Sequence, residues 1–407
     1  MRSPLIPLLL GLAALLGAVP VMATESEDPP ATFLEALKGG NASLSLRYRF
    51  ENVDQEPFSK KARASTLRTT LGYRTAFFRG FRLFVEAENV TEVAGEGLFN
   101  NRGAGSLGNG VTDRPVVADP EDTEIHQVGL RFEAGETAVV LGRQEIAWAD
   151  QRFVGPVGWR QNHQAFDAVF VKAKPFQALE VTYAYLDRVH RVFGDHKPMA
   201  SHGLSGELSL PFGKLRGYGL YLDYDRLSDA GLSTSTYGLE LSGAHDLGST
   251  KILFELEAAQ QRDAGDNPNE VDAGYLHAMV GAKAAGWIFK GGFERLEGSA
   301  GEGRFTTPLA TLHKWNGWAD KFLGTPVAGL EDLYFEAGGG AGAFAWKGVF
   351  HDFSAESGGG DYGSEIDFQF SYRSPWSQVF GLKAAFYEED GFSSDTDKLW
   401  FWTSYSF

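Results

Sequence analysis

The stretch TLRTTLGYRTAFFRGFRLFVEAENV, residues 66–90, contains two alternating segments that are joined by a short connection. In the first segment Leu67 and Leu71 fall on one face, whereas Arg68 falls on the other. Alternation with a period of two indicates a β-strand that has one apolar and one polar face. Residues 78–80 separate the two segments, which predicts a tight turn between neighbouring strands.

The same pattern recurs in about 18 segments of roughly 10 residues, a length that crosses a bilayer as a tilted strand. The gaps between the segments alternate between short and long. The short gaps are residues 78–80, 133–136, 174–177, 211–214, 245–249, 284–286, 338–343 and 374–376. The long gaps are roughly residues 52–64, 93–122, 146–164, 188–200, 227–233, 261–272, 297–330, 353–361 and 388–396. Bacterial outer-membrane barrels alternate in this way, with short periplasmic turns and long extracellular loops.

The predicted fold class is therefore all-β, a closed antiparallel transmembrane β-barrel of about 18 strands, with 16 as the fallback count. The sheet must close because open strand edges cannot be satisfied in lipid. The strands near residues 136–145 and 331–337 carry the weakest pattern. The residues expected to face lipid are Leu44, Leu71, Phe368 and Phe401. A secreted β-sandwich or β-helix is the alternative.

Residues 1–23 have the features of a signal peptide, with Arg2, a short apolar run and a small-residue cleavage site at 21–23. We expect its removal and a location in the bacterial outer membrane. Residues 24–40 then form a short periplasmic segment with a helical turn or two, and residues 41–407 form the barrel. Phe407 ends an amphipathic strand, which resembles the signal read by the outer-membrane barrel assembly machinery, an expected partner.

Composition excludes several classes of protein. The chain has 37 basic and 53 acidic residues, a formal net charge of -16, and no cysteine. Nucleic-acid binding is not expected, because neutralising phosphates requires a basic surface. The lack of cysteine excludes disulfide scaffolds, thiolate metal sites and cysteine nucleophiles.

Signals for an enzyme are weak, and we expect none. Residues 103–108 match G-x-G-x-x-G, but they lie in a long gap with no helix after them. His202 and Ser205 suggest a hydrolase, but the G-x-S-x-G elbow is missing. No cofactor is expected. The acidic extracellular loop at residues 263–272 is a candidate for Ca²⁺, with a solvated loop as the alternative.

Arginine on the polar strand faces is the clearest functional signal. The first four strands carry Arg47, Arg49, Arg68, Arg74, Arg82 and Arg131 opposite apolar faces. In a barrel of this size the polar face lines a water-filled lumen, where arginine binds carboxylates. The cluster predicts attraction of acidic solutes. The alternative is an interstrand ion network, since Glu51, Glu86, Glu88 and Glu133 lie on the same faces.

Residues 142–168 place six charges and two tryptophans in one strand–loop–strand unit. The alternation fails here, because Arg143 shares a face with Leu141, and Asp167 shares one with Val169. A bulge or an infolded loop would explain the break.

This unit resembles the alginate-export family of outer-membrane porins. The matching motifs are G-R-Q at 142–144, R-x-V-G at 152–155, W-x-Q at 159–161 and F-D-A at 166–168, with further likeness at 33–51 and 329–334. The resemblance implies an 18-stranded monomeric barrel with an Arg-lined, anion-selective constriction through which an acidic polysaccharide passes. Together with the polar faces it gives these pore candidates: Arg47, Arg49, Arg68, Arg74, Arg131, Arg143, Glu145, Arg152, Arg160 and Asp167.

The predicted function is an outer-membrane channel that passes an acidic polysaccharide or related anionic sugar through an Arg-lined lumen. A general diffusion porin for small solutes is the alternative, and a barrel enzyme or adhesin is a third interpretation. The expected partners are outer-membrane lipid and the acidic polysaccharide or sugar acid. Arg143, and more weakly Arg74, are expected to set the anion preference.

Overall fold

The computed structural model describes residues 30–298 and 303–407. Within these residues, 18 strands form one antiparallel sheet that closes on itself. Closure occurs at β1 (Asn41–Gln55), which pairs with both β2 (Ala62–Arg74) and β18 (Thr396–Ser406). The predicted barrel and strand count are confirmed. The predicted signal peptide lies outside the described residues, and the division at residue 40 stays a prediction.

Each remaining strand pairs with its neighbours in chain order. The bounds are β3 (Phe81–Glu92), β4 (Asp122–Ala134), β5 (Thr137–Gln144), β6 (Ala165–Phe176), β7 (Leu179–His190), β8 (His196–Leu210), β9 (Gly213–Leu222), β10 (Thr234–Leu247), β11 (Thr250–Asp263), β12 (Asp272–Ala284), β13 (Trp287–Leu296), β14 (Leu330–Ala341), β15 (Phe344–Ser354), β16 (Asp361–Arg373) and β17 (Val379–Glu389). A single α-helix among the described residues, α1 (Phe33–Lys38), precedes the barrel, and the Thr32 side chain caps its first turn. Short 3₁₀ turns lie at Gly105–Leu107, Ala230–Leu232 and Leu312–Lys314.

The connections alternate between short and long, as the sequence predicts. Several turns, such as 135–136 and 285–286, consist of two residues, whereas the longest loops are 93–121, 145–164 and 297–329. All long loops therefore emerge from the same end of the barrel. None of the helices in the described ranges has the length and apolar character to span a membrane.

The outer face of the barrel is apolar. Leu71, Phe368 and Phe401 are 61 %, 55 % and 36 % exposed. Leu44 lies directly opposite Leu71 in the β1–β2 ladder and so shares its face. All four residues point outward, as predicted from the alternation. An apolar belt of this kind is stable in lipid, whereas in water it would drive aggregation.

The protein core lies inside the barrel. Two loops fold inward, which we call the first inward loop (residues 145–164) and the second inward loop (residues 303–329 in the described part). Val154 and Leu309 form a bridge between the two loops. Their apolar side chains pack with inward-facing strand residues in two clusters, one around Phe305 and Phe353 and one around Phe166. The loops thus fill part of the lumen and divide it.

Candidate functional site

Trp159, in the first inward loop, marks the place where the two loops meet the barrel wall. Its ring stacks on His313 of the second inward loop, with centroids 5.0 Å apart and planes 5° apart. The rings of Trp400 and Trp402 on β18 meet it edge-on at 5.8 and 5.4 Å. Offset and edge-on aromatic pairs add to the stabilisation from buried area. The aromatic contacts therefore fix the first inward loop against β18.

Three cations surround the same ring. The Lys383 ammonium lies 4.2 Å from the Trp159 centroid, and the guanidinium carbons of Arg47 and Arg49 lie at 5.1 and 5.3 Å. Arg47 donates to the carbonyl of Gly158 at 3.0 Å, and Arg49 donates to the carbonyl of Trp159. Cations over an indole face are stabilised by the ring quadrupole. The loop is thus held to a basic wall formed by β1 and β17.

Asp320, in the second inward loop, is the buried anion that balances this basic wall. It accepts from Arg160 Nη2 at 2.7 Å, from Lys398 Nζ at 2.7 Å and from His313 Nδ1 at 2.6 Å. Burial alone would raise the pKa of Asp320, but His313, Lys398 and Arg160 hold it well below its usual range. Asp320 is therefore ionised and joins the two loops to β18.

His313 is neutral in this arrangement. Burial, reinforced by the nearby Lys383, holds the pKa of His313 well below its usual range. The hydrogen-bond network assigns its tautomer: Nδ1–H donates to Asp320, and Nε2 accepts from Lys383 Nζ at 2.7 Å.

Further ion pairs anchor the first inward loop at separate points of the wall. Arg152 contacts Glu294 on β13 at 2.7 Å and donates to Asn316 at 3.2 Å. Arg160 lies 3.4 Å from Glu51 on β1. Because each of these arginines is buried, its partner is required for it to remain charged at low cost.

The predicted pore residues divide into an inward and an outward set. The residues that lie in the lumen or in the first inward loop are Arg47, Arg49, Arg68, Arg74, Arg131, Glu145, Arg152 and Arg160. Arg47, Arg49 and Arg160 come together near Trp159, whereas Arg74 and Arg131 lie on the lumen wall near the turns.

The lumen position predicted for Arg143 and Asp167 is wrong. Arg143 lies directly opposite Val128, and Val128 and Leu141 are exposed on the outer face. Arg143 Nε donates to Asp167 at 2.9 Å on the same outward face. No bulge reverses the alternation between Leu141 and Arg143, so the two charges stay outside and neutralise each other at the loop end of the strands.

The arginines of the lumen are also paired with acidic groups, as the alternative interpretation holds. Arg49 lies 3.3 Å from Glu51, and it also pairs with Asp119. Arg131 lies 2.6 Å from Glu133. The basic wall is therefore partly neutralised, and the balance of charge in each part of the lumen matters more than a count of arginines.

Sequence reasoning missed Lys383, Lys398, His313 and Asp320. The two lysines carried a usable signal, because each occupies the polar face of an alternating strand: Lys383 follows the outward Leu382, and Lys398 precedes the outward Leu399. His313 and Asp320 lie in an irregular loop, where no periodicity marks them.

A cavity of about 450 Å³ lies at the loop end of the barrel, between the inward loops and the 93–121 loop. Its basic lining residues are Arg102, Arg160, Arg191, Lys321 and Lys398. Among the described residues, Asp320 is the only carboxylate in the lining. Phe58, Phe193 and Leu323 supply apolar walls. Arg160 and Lys398 pair with Asp320, and Arg191 pairs with Asp195, so the excess positive charge of the cavity comes from Arg102 and Lys321.

The residues of the hydrolase alternative do not come together. His202 points outward beside Tyr183, whereas Ser205 is buried inward and accepts from Trp148 Nε1 at 3.2 Å. The acidic loop considered for Ca²⁺ uses Asp263 to accept from the amide of Val271 at 3.1 Å. Calcium binding there stays a prediction.

No family model and no curated protein matches the sequence. Solved outer-membrane proteins of Pseudomonas aeruginosa are similar in structure. One is OccK9 (OpdG), with 14 % identity, a TM-score of 0.70, and coverage of 91 % of this chain and 99 % of that one. Another is OpdK solved with vanillate, with 15 % identity, a TM-score of 0.71, and coverage of 91 % of this chain and 99 % of that one. A third is OccAB4 of Acinetobacter baumannii, with 12 % identity, a TM-score of 0.70, and coverage of 90 % of this chain and 98 % of that one.

These likenesses show the fold and support the porin part of the resemblance found in the sequence, but not the alginate-export family specifically. Sequence identity of this size carries no information about solute. The closed barrel and its apolar belt agree with the predicted location. The chain has the fold of the outer-membrane porins, and its location is the bacterial outer membrane.

Proposed function

We propose that this protein is an outer-membrane channel for small anionic solutes, chiefly carboxylates. The observation that carries the proposal is the cavity at the loop end of the barrel, where Arg102 and Lys321 add positive charge to apolar walls while the other basic residues of the lining are ion-paired. Arginine and lysine bind carboxylates directly, and the apolar walls exclude competing water. Its volume falls in the usual range for small-molecule sites, about 300–1,000 Å³.

The inward loops support small solutes over a polysaccharide. Buried ion pairs and aromatic stacking fix both loops inside the lumen, as at Asp320 and Trp159. A flexible polymer would have to pass these anchored loops. OpdK, which shares the fold, was solved with vanillate, a small carboxylate. A channel for small solutes, the alternative in the sequence reasoning, is thus better supported than polysaccharide export.

The charge inside the cavity determines the preference for anions, although the net charge of the whole chain is -16. Exposed charges are screened beyond about 8 Å at physiological ionic strength, whereas charges in a narrow protein cavity act more strongly. Within the cavity, the Arg102 guanidinium lies over the Phe193 ring at 5.5 Å. Lys321 Nζ lies 3.5 Å from Ser394 Oγ and 5.4 Å from the Tyr387 centroid. These two cations are placed to receive a solute carboxylate.

Neutralising the two cavity cations is expected to weaken anion preference. In planar bilayers under a salt gradient, the anion-to-cation permeability ratio should fall roughly twofold for Lys321→Gln and further for the Arg102→Gln/Lys321→Gln double variant. Lys60→Gln is the matched control, because Lys60 is exposed in a loop outside the cavity lining and pairs with Asp113. A cation-selective wild type, or equal ratios in all variants, would contradict the proposal.

Anion preference is also expected to fall as pH rises through about 8. Burial, with a further contribution from Lys398, lowers the pKa of Lys321 to about 8. Lys321 is therefore mostly charged at pH 7 and mostly neutral at pH 9. The measurement is the permeability ratio from pH 6.5 to 9.5, and Lys321→Gln should remove the part of the change centred near pH 8. A pH profile identical in wild type and variant would show that Lys321 does not act on the solute.

A further inference from the structure

Four metal-ligating side chains converge where the ends of the first inward loop meet the barrel wall. Glu88 on β3 and His126 on β4 come from the wall, and their exposures are 1 % and 0 %. Glu145 and His163 come from opposite ends of the loop. None of the proposed solute contacts involves this cluster, which lies apart from the basic cavity lining.

Ligand atoms of Glu88, His126 and His163 are close enough to share one ion, and Glu145 Oε1 lies within 3.8 Å of a ring nitrogen of each histidine. His163 Nδ1 lies 2.6 Å from Glu88 Oε2 and 3.8 Å from Glu145 Oε1, and His126 Nε2 lies 2.8 Å from Glu145 Oε1. Glu88, His126 and His163 each offer a ligand atom within 4.8 Å of the others. Tetrahedral Zn²⁺ holds its ligands at about 2.0–2.2 Å, so they lie roughly 3.3 Å apart. The three distances given above, 2.6, 2.8 and 3.8 Å, lie on either side of this spacing.

A β-bulge brings His126 into the cluster. In the β3–β4 ladder, Glu86 pairs with Gln127 but Ala87 pairs with Ile125, so His126 has no partner residue opposite it. An extra residue of this kind redirects a side chain, and bulges are common beside functional sites. Ile125 remains exposed on the outer face while His126 is buried.

The surroundings of His126 fit a metal ligand. Its Nδ1 is buried and has no hydrogen-bond partner in the described part of the chain. Glu124 Oε1 lies 4.0 Å from that atom. Binding through Nε2 would place the ring proton on Nδ1, facing this carboxylate, and metal-bound histidines usually donate their second N–H to such a group.

From this geometry we propose a binding site for a divalent transition metal of the Zn²⁺ class, formed by Glu88, His126, Glu145 and His163. Two imidazoles and two carboxylates suit Zn²⁺ rather than Ca²⁺ or Mg²⁺, which prefer oxygen ligands alone. A bound ion fastens both ends of the first inward loop to the wall. The site thereby makes the position of the loop depend on metal supply.

Arg68 competes with the metal. Its Nη1 lies 2.7 Å from His163 Nε2, so the ring carries its proton on Nδ1, which faces Glu88. A metal ion bound at Nδ1 would move that proton to Nε2. The Nε2–H of His163 and the Nη1–H of Arg68 would then both be donors and would face each other. Arg68 must therefore turn away from the ring, and Glu86 is one of the carboxylates that stabilise its charge. Removing the Arg68 charge is therefore expected to strengthen metal binding.

The test is calorimetric titration of Zn²⁺ into the full-length barrel, folded in detergent and stripped with chelator. We expect one tight site in the wild type, at least tenfold weaker binding in His126→Ala and His163→Ala, and tighter binding in Arg68→Gln. His202→Ala is the matched control, because His202 lies on the outer face. Heat-modifiable migration in gels confirms that each variant is folded.

Co²⁺ provides a readout that does not depend on the variants. Tetrahedral Co²⁺ bound to the wild-type protein should give visible absorption bands that one equivalent of Zn²⁺ abolishes. The proposal is overturned if the wild type gives neither such bands nor a stoichiometric site. It is equally overturned if the folded His126→Ala and His163→Ala variants bind Zn²⁺ as tightly as His202→Ala.

Discussion

Replacing residues 146–164 with a four-residue Gly-Ser link is expected to raise single-channel conductance several-fold and to remove most of the anion preference. The first inward loop crosses the lumen and contacts β1, β13, β18 and the second inward loop. Its removal takes Trp159, Arg152 and Arg160 out of the lumen and widens the path for ions. Arg160 also lines the basic cavity, so the proposed solute site loses part of its wall.

The barrel is expected to survive this replacement. Gln144 lies directly opposite Phe166 in the β5–β6 ladder, so the strand ends are already adjacent and a short hairpin link can join them. Glu294 loses Arg152 but keeps hydrogen bonds from Tyr275 at 2.7 Å and from Asn316 at 2.5 Å, so it is not left without a partner. The control is the same link in place of residues 264–270, an extracellular loop that lies outside the lining of the basic cavity. Unchanged conductance in a folded loop variant would show that the first inward loop does not restrict the channel.

The sequence was sufficient for the barrel because each strand carries its own evidence. Even β5 and β14, the weakest by pattern, are present, and the face assigned to Leu71 and Phe368 is correct. A period of two follows from backbone geometry, so it can be read locally. The alternation of short and long gaps then predicted that all long loops emerge from the same end of the barrel.

The charges at Arg143 and Asp167 show the limit of that pattern. Alternation identifies the face of a residue but not its depth in the membrane. The expectation that a charge must face the lumen holds at mid-membrane, where charged groups on the lipid face cost about 2–4 kcal/mol, and weakens toward the strand ends. Arg143 lies one residue from the end of β5, where outward charges pair with each other at small cost.

The contacts around Trp159 were beyond sequence reasoning for a different reason. Trp159 meets His313 and Trp400, which are far apart in the chain and joined only by the fold of the inward loops. Irregular loops carry no period, so the partners of Asp320 are decided by packing inside the closed barrel. The arginines of the lumen could be predicted as a group. The sequence could not predict which of them form ion pairs with carboxylates and which are left to attract a solute.

Asp320→Asn is expected to destabilise the inward loops by about 3 kcal/mol, within the range found when a buried ion pair loses one partner. Arg160 and Lys398 would keep their charges inside the lumen without the anion that both contact at 2.7 Å. Glu51, at 3.4 Å from Arg160, compensates only one of them. The measurements are the free energy of unfolding in urea and the noise of the open channel, which should rise as the loops loosen. Asp263→Asn, an exposed carboxylate at the loop end of β11, is the matched control.

A double-mutant cycle with Lys398→Met separates this electrostatic effect from general damage. If the loss of stability comes from an unpaired buried lysine, the Asp320→Asn/Lys398→Met variant should be less destabilised than the sum of the single variants.

The contribution of Asp320 to stability is also expected to depend on pH in a defined direction. A carboxyl whose pKa is depressed on folding contributes stability above its unfolded pKa of about 3.9 and loses it as pH falls through the lower folded pKa. The difference between wild type and Asp320→Asn should therefore be constant from pH 5 to 8 and shrink only in strong acid. Strict additivity in the cycle, or a difference that disappears near neutral pH, would assign the stability of the loops to aromatic packing around Trp159 instead of to Asp320.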